Sequence, residues 1–463
     1  MKAFLALFLF QIVLVFTVFS QAENATIASI SINGNKKTKE NTILRELPFS
    51  AGDLISFSDT AKLRFVATQN LNNTLLFNFV DIYFRTDSFS SDLIVDINVD
   101  ERWYIWPGAT LSLAETNFNS WWQNKDFDRI NYGALVEWYN ATGRKDKLTV
   151  DLQGGWKRKI RLNYYLPNLG KRQNLAASVD LFYANNREIN YASLNNERLF
   201  FKDQRFIQQE LSGVGSMEYR KKLFNSHRIS LGYKAVIIGD TVLQYNPNYI
   251  IPNHLQSRYL HLSYGFRREK RDNRSYPLTG YLVDLSIDQN GFGIIQKDGL
   301  KLGTAAFTTN WHYHLKNRWF FAHGLKGKTT FAGQPPYYNQ LGLGYTNQFI
   351  RGFELYVIDG QHFGLYKSNL KYQIIKKRVI DLKKPRFDRF DKLHYQVFLN
   401  LFGDAGYVVD EINKTTNPLA NSFQYSGGLG LDFVSYYDIV IRFEGSINSS
   451  GQPGFFIHFS NPI

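Results

Sequence analysis

Leu148-Thr149-Val150-Asp151-Leu152-Gln153-Gly154-Gly155-Trp156 changes character at every residue. In an extended chain, side chains point to opposite faces in turn. Leu148, Val150, Leu152, Gly154 and Trp156 are therefore expected on one face, and Thr149, Asp151, Gln153 and Gly155 on the other. The pattern recurs. Ala177, Val179, Leu181 and Tyr183 alternate with Ser178 and Asp180; Tyr281, Val283, Leu285 and Ile287 oppose Asp284, Ser286 and Asp288; Ile439, Ile441, Phe443 and Ile447 oppose Arg442, Glu444 and Ser446. A slip of one residue would put these charges among the apolar side chains, so the pattern specifies register. From Tyr104 onward, segments of roughly ten residues repeat this alternation between Asn, Asp, Gly, Pro and Lys-rich turns, as expected for strands facing lipid on one side and water on the other. Residues 104–463, at roughly 22 residues per strand and connection, predict about 16 antiparallel strands closing a transmembrane β-barrel. A lumen of that width is too large for side chains to fill, so water or an inserted loop must occupy it.

Composition agrees with a barrel wall. The chain holds 28 Tyr, 38 Phe and 8 Trp, 16% aromatic residues in all, at a mean hydropathy of −0.30. Strands that show lipid only every second side chain keep mean hydropathy low, while aromatic girdles enrich Tyr, Trp and Phe. A secreted β-sandwich array is the soluble alternative that composition leaves open. The absence of cysteine excludes a disulfide scaffold, a thiolate metal site, a cysteine nucleophile and a lipid anchor on cysteine. The formal charge of +14 is spread through turns and polar strand positions. Lipopolysaccharide and phospholipid headgroups are thus the expected counter-charges, and nucleic acid is not an expected partner. The nine histidines form no H-E-x-x-H, and G-x-S-x-G, P-loop and complete G-x-G-x-x-G patterns are missing. The chain does not read as an enzyme, and no cofactor is expected.

Met1-Lys2, the apolar run Ala3 to Phe19 and the small residues of Ser20-Gln21-Ala22 predict a signal peptide over 1–22 with cleavage after Ala22. The competing reading is a membrane anchor, but the run is short for a span and no basic stop-transfer cluster follows. Residues 24–103 read as strand, helix, helix, strand, strand, a small α+β domain. Its first strand holds Ile27 to Ile32 and turns at Asn33-Gly34-Asn35. Thr38 is the expected cap of a helix carrying Ile43, Leu44 and Leu47 and ending at Pro48. A second helix from Ser58 places Leu63, Val66, Ala67, Asn70 and Leu71 in helical steps. Phe79 to Phe84 and Leu93 to Val99 are the last two strands.

This order, with Gly34-Asn35, Gly52-Asp53, Asn70-Leu71 before Leu76-Phe77, and the closing Val99-Asp100-Glu101-Arg102, resembles a POTRA (polypeptide-transport-associated) domain feeding a barrel. The resemblance implies a periplasmic domain that receives extended client polypeptides by strand addition. The candidate edge runs from Phe79 to Arg85, with Phe79, Val80, Ile82 and Phe84 as candidate client-binding residues.

The strongest motif in the barrel region is Gly342-Leu343-Gly344-Tyr345-Thr346-Asn347-Gln348-Phe349-Ile350-Arg351-Gly352-Phe353. It delivers one arginine between apolar residues, then a glycine that permits an unusual turn. Leu365 to Ile375 follows as a strand, and then Leu399-Asn400-Leu401-Phe402-Gly403-Asp404-Ala405-Gly406, a strand ending in a carboxylate. Together these resemble the BamA/TamA superfamily of outer-membrane assembly and translocation barrels, in which a (V/I)RG(F/Y) loop tip folds into the lumen and docks on an FxDxG wall strand. The resemblance implies that Arg351, Gly352 and Phe353 dock on Phe402, Asp404 and Gly406, with the guanidinium reaching Asp404 and lying against the Phe402 ring. Arg271-Asp272-Asn273-Arg274-Ser275-Tyr276-Pro277-Leu278-Thr279-Gly280-Tyr281 is similar to a further hairpin of that family. Three departures stand out. Only one POTRA-like domain fits before the barrel; Lys371 stands where many members place a lumen-facing glutamate, so that an inward Lys371 would leave Arg351 leaning on Asp404; and Phe459 is followed by Ser460-Asn461-Pro462-Ile463, so the terminal aromatic residue is not the last.

Lys376 to Lys392, containing Pro385, reads as a long basic turn, on the periplasmic side by strand parity. The implied function is non-enzymatic: assembly and insertion of outer-membrane proteins, or translocation of polypeptides. The implied clients are unfolded outer-membrane or secreted proteins, with accessory periplasmic proteins as further partners, at the bacterial outer membrane with the N-terminal domain in the periplasm. A passive outer-membrane channel and a dedicated secretion pore for one partner remain as alternatives.

Overall fold

The structure, a computed structural model, describes residues 24–87, 92–113, 130–170, 172–345, 348–381, 392–412, 416–435 and 439–459. The expected leader over 1–22, Pro385 and Ser460-Asn461-Pro462-Ile463 lie outside the described residues. The chain divides into two compact units, Met1–Glu101 and Arg102–Ile463.

In the N-terminal unit, β1 (Asn24–Asn33), α1 (Glu40–Leu44), β2 (Leu54–Ser56), α2 (Thr60–Asn72), β3 (Phe77–Thr86) and β4 (Leu93–Glu101) follow in order. The sheet order is β2-β1-β4-β3, with β1 and β4 parallel and the other pairs antiparallel. Ile27, Ile43, Ala67, Leu71, Val95 and Ile97 are wholly buried between sheet and helices. Gly34 has φ +88, and a Cβ there would lie 2.0 Å from the Val99 carbonyl oxygen; only glycine lets the end of β1 pass β4 this closely. Two sequence expectations change. Thr38 does not cap α1. Its hydroxyl and its N–H both donate to Glu101 Oε1 at 2.6 Å, which ties the loop after β1 to the end of β4, and α1 stops after five residues. A short strand, β2, also intervenes between the helices.

The candidate edge strand β3 pairs with β4 alone among the described residues. Val80 and Ile82 are buried in the domain core, Phe79 and Phe84 are half-buried, and Asp81, Tyr83 and Arg85 face outward. Two of the four named side chains are thus already committed to the fold.

The second unit runs from β5 (Ile105–Leu113) to β22 (Pro453–His458), and sixteen of its strands form one antiparallel sheet in chain order. The exception in the order is instructive. Between β9 (Leu175–Asn186) and β12 (Gln208–Lys221), β10 (Glu188–Leu194) and β11 (Glu197–Lys202) leave the wall and pair as a separate hairpin. β5 and β22 end the sheet, and no ladder joins them among the described residues.

The alternation read from the sequence is what sorts the two faces. Val179, Leu181, Leu285, Ile287 and Ile447 are exposed on the outer face, whereas Arg442, Glu444 and Ser446 are buried on the inner one. Trp156 is a correction. Gly155 adopts φ +97, a position where a Cβ would lie 2.2 Å from the Ile130 carbonyl oxygen. The chain flips there, and Trp156 turns inward, buried, with its indole N–H donating to Glu188 at 3.1 Å. A second correction concerns the basic segment. β18 (His362–Asp381) and β19 (Lys392–Val409) are longer than expected: Lys376 and Lys377 form a bulge within β18, and the ladder resumes with Arg378 opposite Tyr395 and Ile380 opposite Leu393.

Candidate functional site

The connection from β17 (Trp319–Ala332) to β18 is long and does not stay at the rim. Leu343 and Ile358 exchange backbone hydrogen bonds at 2.9 and 2.8 Å, closing the loop into a narrow neck. Leu343, Ile350, Phe353 and Ile358 then pack with Phe363 and Leu365 of β18 and Val408 of β19 in one buried cluster. Apolar burial thus brings the tip of the loop against the inner wall.

Within that setting Arg351 is fully buried. Its Nε donates to Asp404 Oδ2 at 2.8 Å, Nη2 to Asp404 Oδ1 at 2.5 Å, and its backbone N–H to Asp404 Oδ2 at 3.1 Å. This is the bidentate fork that suits a guanidinium to a carboxylate. The remaining donors are also used. Nη1 reaches Asn369 Oδ1 at 2.7 Å and Glu444 Oε1 at 3.3 Å, and Nη2 reaches the Ser368 carbonyl at 3.2 Å. The guanidinium carbon sits 3.9 Å from the centroid of the Phe402 ring, a cation–π contact made away from bulk solvent.

Glycines make the approach possible. Gly352 has φ +91, and Asn448 Nδ2 donates to its carbonyl at 2.9 Å. A Cβ on Gly406 would lie 2.7 Å from Ile350 Cδ1, so this wall glycine leaves the space that the loop fills. A Cβ on Gly428, in β20 (Phe423–Ser435), would meet the Phe402 ring at 2.6 Å. Phe402 therefore lies between a bare backbone and the guanidinium.

The structure brings Arg351, Gly352, Phe353, Phe402, Asp404 and Gly406 together. The edge residues Phe79, Val80, Ile82 and Phe84 belong to the N-terminal unit. Lys371 does face inward, buried, with Nζ 4.0 Å from the Tyr276 ring centroid. Yet Arg351 does not rely on Asp404 alone, because Glu444, in β21 (Val440–Asn448), supplies a second carboxylate. Asn369 and Glu444 were not assigned to the site from the sequence. Both occupy inward positions of their strands, but alternation shows only which face a residue takes, not which arginine it meets across the lumen.

Another feature holds the loop. The turn between β10 and β11 inserts Asn196, fully buried, between two loops: its side-chain amide donates to the Val357 carbonyl at 3.1 Å, its carbonyl accepts from Val357 N–H at 2.9 Å, and its Oδ1 accepts from Leu419 N–H at 2.9 Å. At the other end of the sheet, Asp272 Oδ1 accepts from the N–H groups of Asn273, Leu278 and Thr279, shaping the turn before β15 (Gly280–Asn290), while Tyr276 donates its hydroxyl to Asp432 Oδ2 at 2.5 Å.

Comparison with known proteins follows the same division. The POTRA family model, described as "Surface antigen variable number repeat", matches residues 25–102. Among solved structures, BamA from Haemophilus ducreyi lacking POTRA domains 1-3 is similar at 16% identity and TM-score 0.50, over 94% of this chain and 83% of that one. CdiB from Escherichia coli is similar at 9% identity and TM-score 0.51, over 95% and 90%. No curated protein matches the sequence. At these identities the structural likeness speaks to the fold. The N-terminal match and the shared fold define the class, a POTRA domain followed by a large antiparallel β-barrel.

Proposed function

We propose that this chain assembles or translocates polypeptides at the bacterial outer membrane, its POTRA domain in the periplasm and its barrel in the bilayer. One observation carries the reading: the lumen holds a loop locked by the buried Arg351–Asp404 pair. Binding of guanidinium to carboxylate positions and releases segments rather than making or breaking bonds, so the barrel acts by conformation.

The client side is the β3 edge. An extended polypeptide adding to it would pair through backbone hydrogen bonds, which serve many sequences alike. Specificity would come from Asp81, Tyr83 and Arg85, the side chains that face outward, rather than from Val80 and Ile82. The driving free energy would come from client folding and lipid burial. Outer-membrane lipids, lipopolysaccharide among them, surround the apolar outer face, and unfolded outer-membrane or secreted proteins are the clients.

Conditional depletion followed by quantitative proteomics of purified outer membranes tests this. A broad fall in other barrels supports general assembly, and loss of one or two proteins supports a specialised route. An unchanged outer-membrane proteome contradicts the proposal and favours the passive channel.

A further inference from the structure

One carboxylate of the clamp and two residues beside it share a second geometry. Glu354 follows Arg351-Gly352-Phe353 on the lumen loop, Glu444 lies on β21, and His458 is the inward-facing last residue of β22. Their ligand atoms all lie within 4.8 Å of one another. His458 Nε2 stands 3.5 Å from Glu354 Oε1 and 3.3 Å from Glu444 Oε2. Those two separations match the ligand–ligand spacing of a small coordination tetrahedron. Metal–ligand bonds of about 2.0–2.1 Å, as zinc makes to nitrogen and oxygen, set a tetrahedral edge of about 3.3–3.4 Å.

The atoms also converge. Glu354 Oε1 and His458 Nε2 are both buried and make no hydrogen bond of good geometry, although they stand at ion-pair distance from one another. Buried polar atoms of this kind are rare unless an ion or water completes them. Their orientation is built in. Glu354 Oε2 accepts from Gly352 N–H at 2.7 Å, and the His458 ring stacks on Phe349 with centroids 5.5 Å apart. Such outer contacts fix ligands in place. Glu444 also accepts from Arg351 at Oε1 and from Arg442 at Oε2, at 3.3 and 2.8 Å, and a carboxylate retains lone pairs beyond these two. Around these atoms Asp404, Glu444 and Glu354 are matched by Arg351, Arg442 and Lys367, whose Nζ lies 3.9 Å from Asp404.

We propose that Glu354, Glu444 and His458 bind a divalent transition-metal ion, with zinc the ion suited to one imidazole and two carboxylates. Water would complete the coordination. The site joins the lumen loop to β22, the strand that ends the sheet, so an occupied site would hold that strand to the loop by a link other than the β21–β22 ladder.

The test uses the full chain, folded in detergent, stripped with chelator and titrated with zinc chloride. The expected result is one zinc per chain by elemental analysis and calorimetry, with affinity lowered about tenfold or more by Glu354→Gln and by His458→Ala. Because His458→Ala could disturb β22 itself, cobalt(II) is added to the unaltered protein, where a tetrahedral visible spectrum is expected, and amide exchange in β22 is expected to slow with metal. Absence of stoichiometric binding, binding unchanged in both variants, or β22 protection that responds to pH but not to metal would each overturn the proposal.

Discussion

Replacing Arg351 with alanine removes every side-chain bond between the loop tip and the wall carboxylates. Asp404 would be left with Lys367 Nζ at 3.9 Å as its nearest cation, whereas Glu444 would keep Arg442 at 2.8 Å. The cost is therefore dominated by one buried carboxylate that has lost a bidentate partner. Breaking such a pair costs about 3–5 kcal/mol, and the remaining lysine and lumen water place this case near the lower limit, about 3 kcal/mol. That corresponds to an opening equilibrium of the loop raised by roughly a hundredfold. Amide hydrogen exchange reads it directly at Leu343 and Ile358, whose N–H groups close the neck of the loop, against β14 (Gln256–Glu269) as an internal standard. Arg351→Ala combined with Asp404→Ala is expected to cost clearly less than the sum of the single changes, by about 2 kcal/mol or more. Exchange within a few-fold of the unaltered protein, or strict additivity, would refute the clamp as the element that holds the loop.

Other outcomes follow from the same contacts. Gly406→Val places carbon atoms where Ile350 Cδ1 already lies within 2.7 Å of the missing Cβ, so loop protection is expected to fall by about 1–3 kcal/mol, measured by the same exchange. In the N-terminal unit, Ile82→Asn puts a polar group in the core and is expected to cost about 2–4 kcal/mol, while Tyr83→Ala on the outward face changes stability by less than about 0.5 kcal/mol; thermal unfolding of the full chain separates them. Burial pushes the Asp359 carboxyl in the lumen loop up to about 6, against an opposing hydrogen bond from Tyr345. Since the folded state holds this proton more tightly than an unfolded aspartate near about 3.9, its contribution to loop docking is present below about pH 4 and is lost as pH rises through 6. The change amounts to about 3 kcal/mol at most, and Asp359→Asn is expected to flatten it in proteolysis of the loop across that window.

Much of the architecture was legible because a strand between lipid and water must alternate. The inward Asp180, Asp284 and Glu444 and the outward Val179, Leu285 and Phe443 follow from that constraint alone. The failures are equally physical. Trp156 continues the written pattern but sits beyond Gly155, whose positive φ turns the chain over, and a pattern of residue types does not report a backbone flip. Thr38 has the residue type of a helix cap, yet α1 begins one residue later, after Lys39, and the Thr38 hydroxyl is instead oriented toward the carboxylate of Glu101, far away in sequence. Lys376 and Lys377 read as a turn because charge usually marks one, whereas they form a bulge after which the ladder between β18 and β19 resumes at Arg378. At the clamp, Arg351 and Asp404 could be paired by their motifs, but Asn369 and Glu444 became partners only through the closure of distant strands around one loop.

If the chain assembles or moves polypeptides with its loop-clamped barrel, as proposed, it must speed the folding of a client in a bilayer. Reconstitution of the purified full chain into liposomes, followed by addition of a denatured outer-membrane barrel as client, tests it most directly. The account predicts that the client becomes protease-protected and folded faster than in empty liposomes, and that Arg351→Ala abolishes most of the acceleration. Client folding no faster than in empty liposomes, accompanied by a steady and large ionic conductance indifferent to Arg351→Ala, would contradict it.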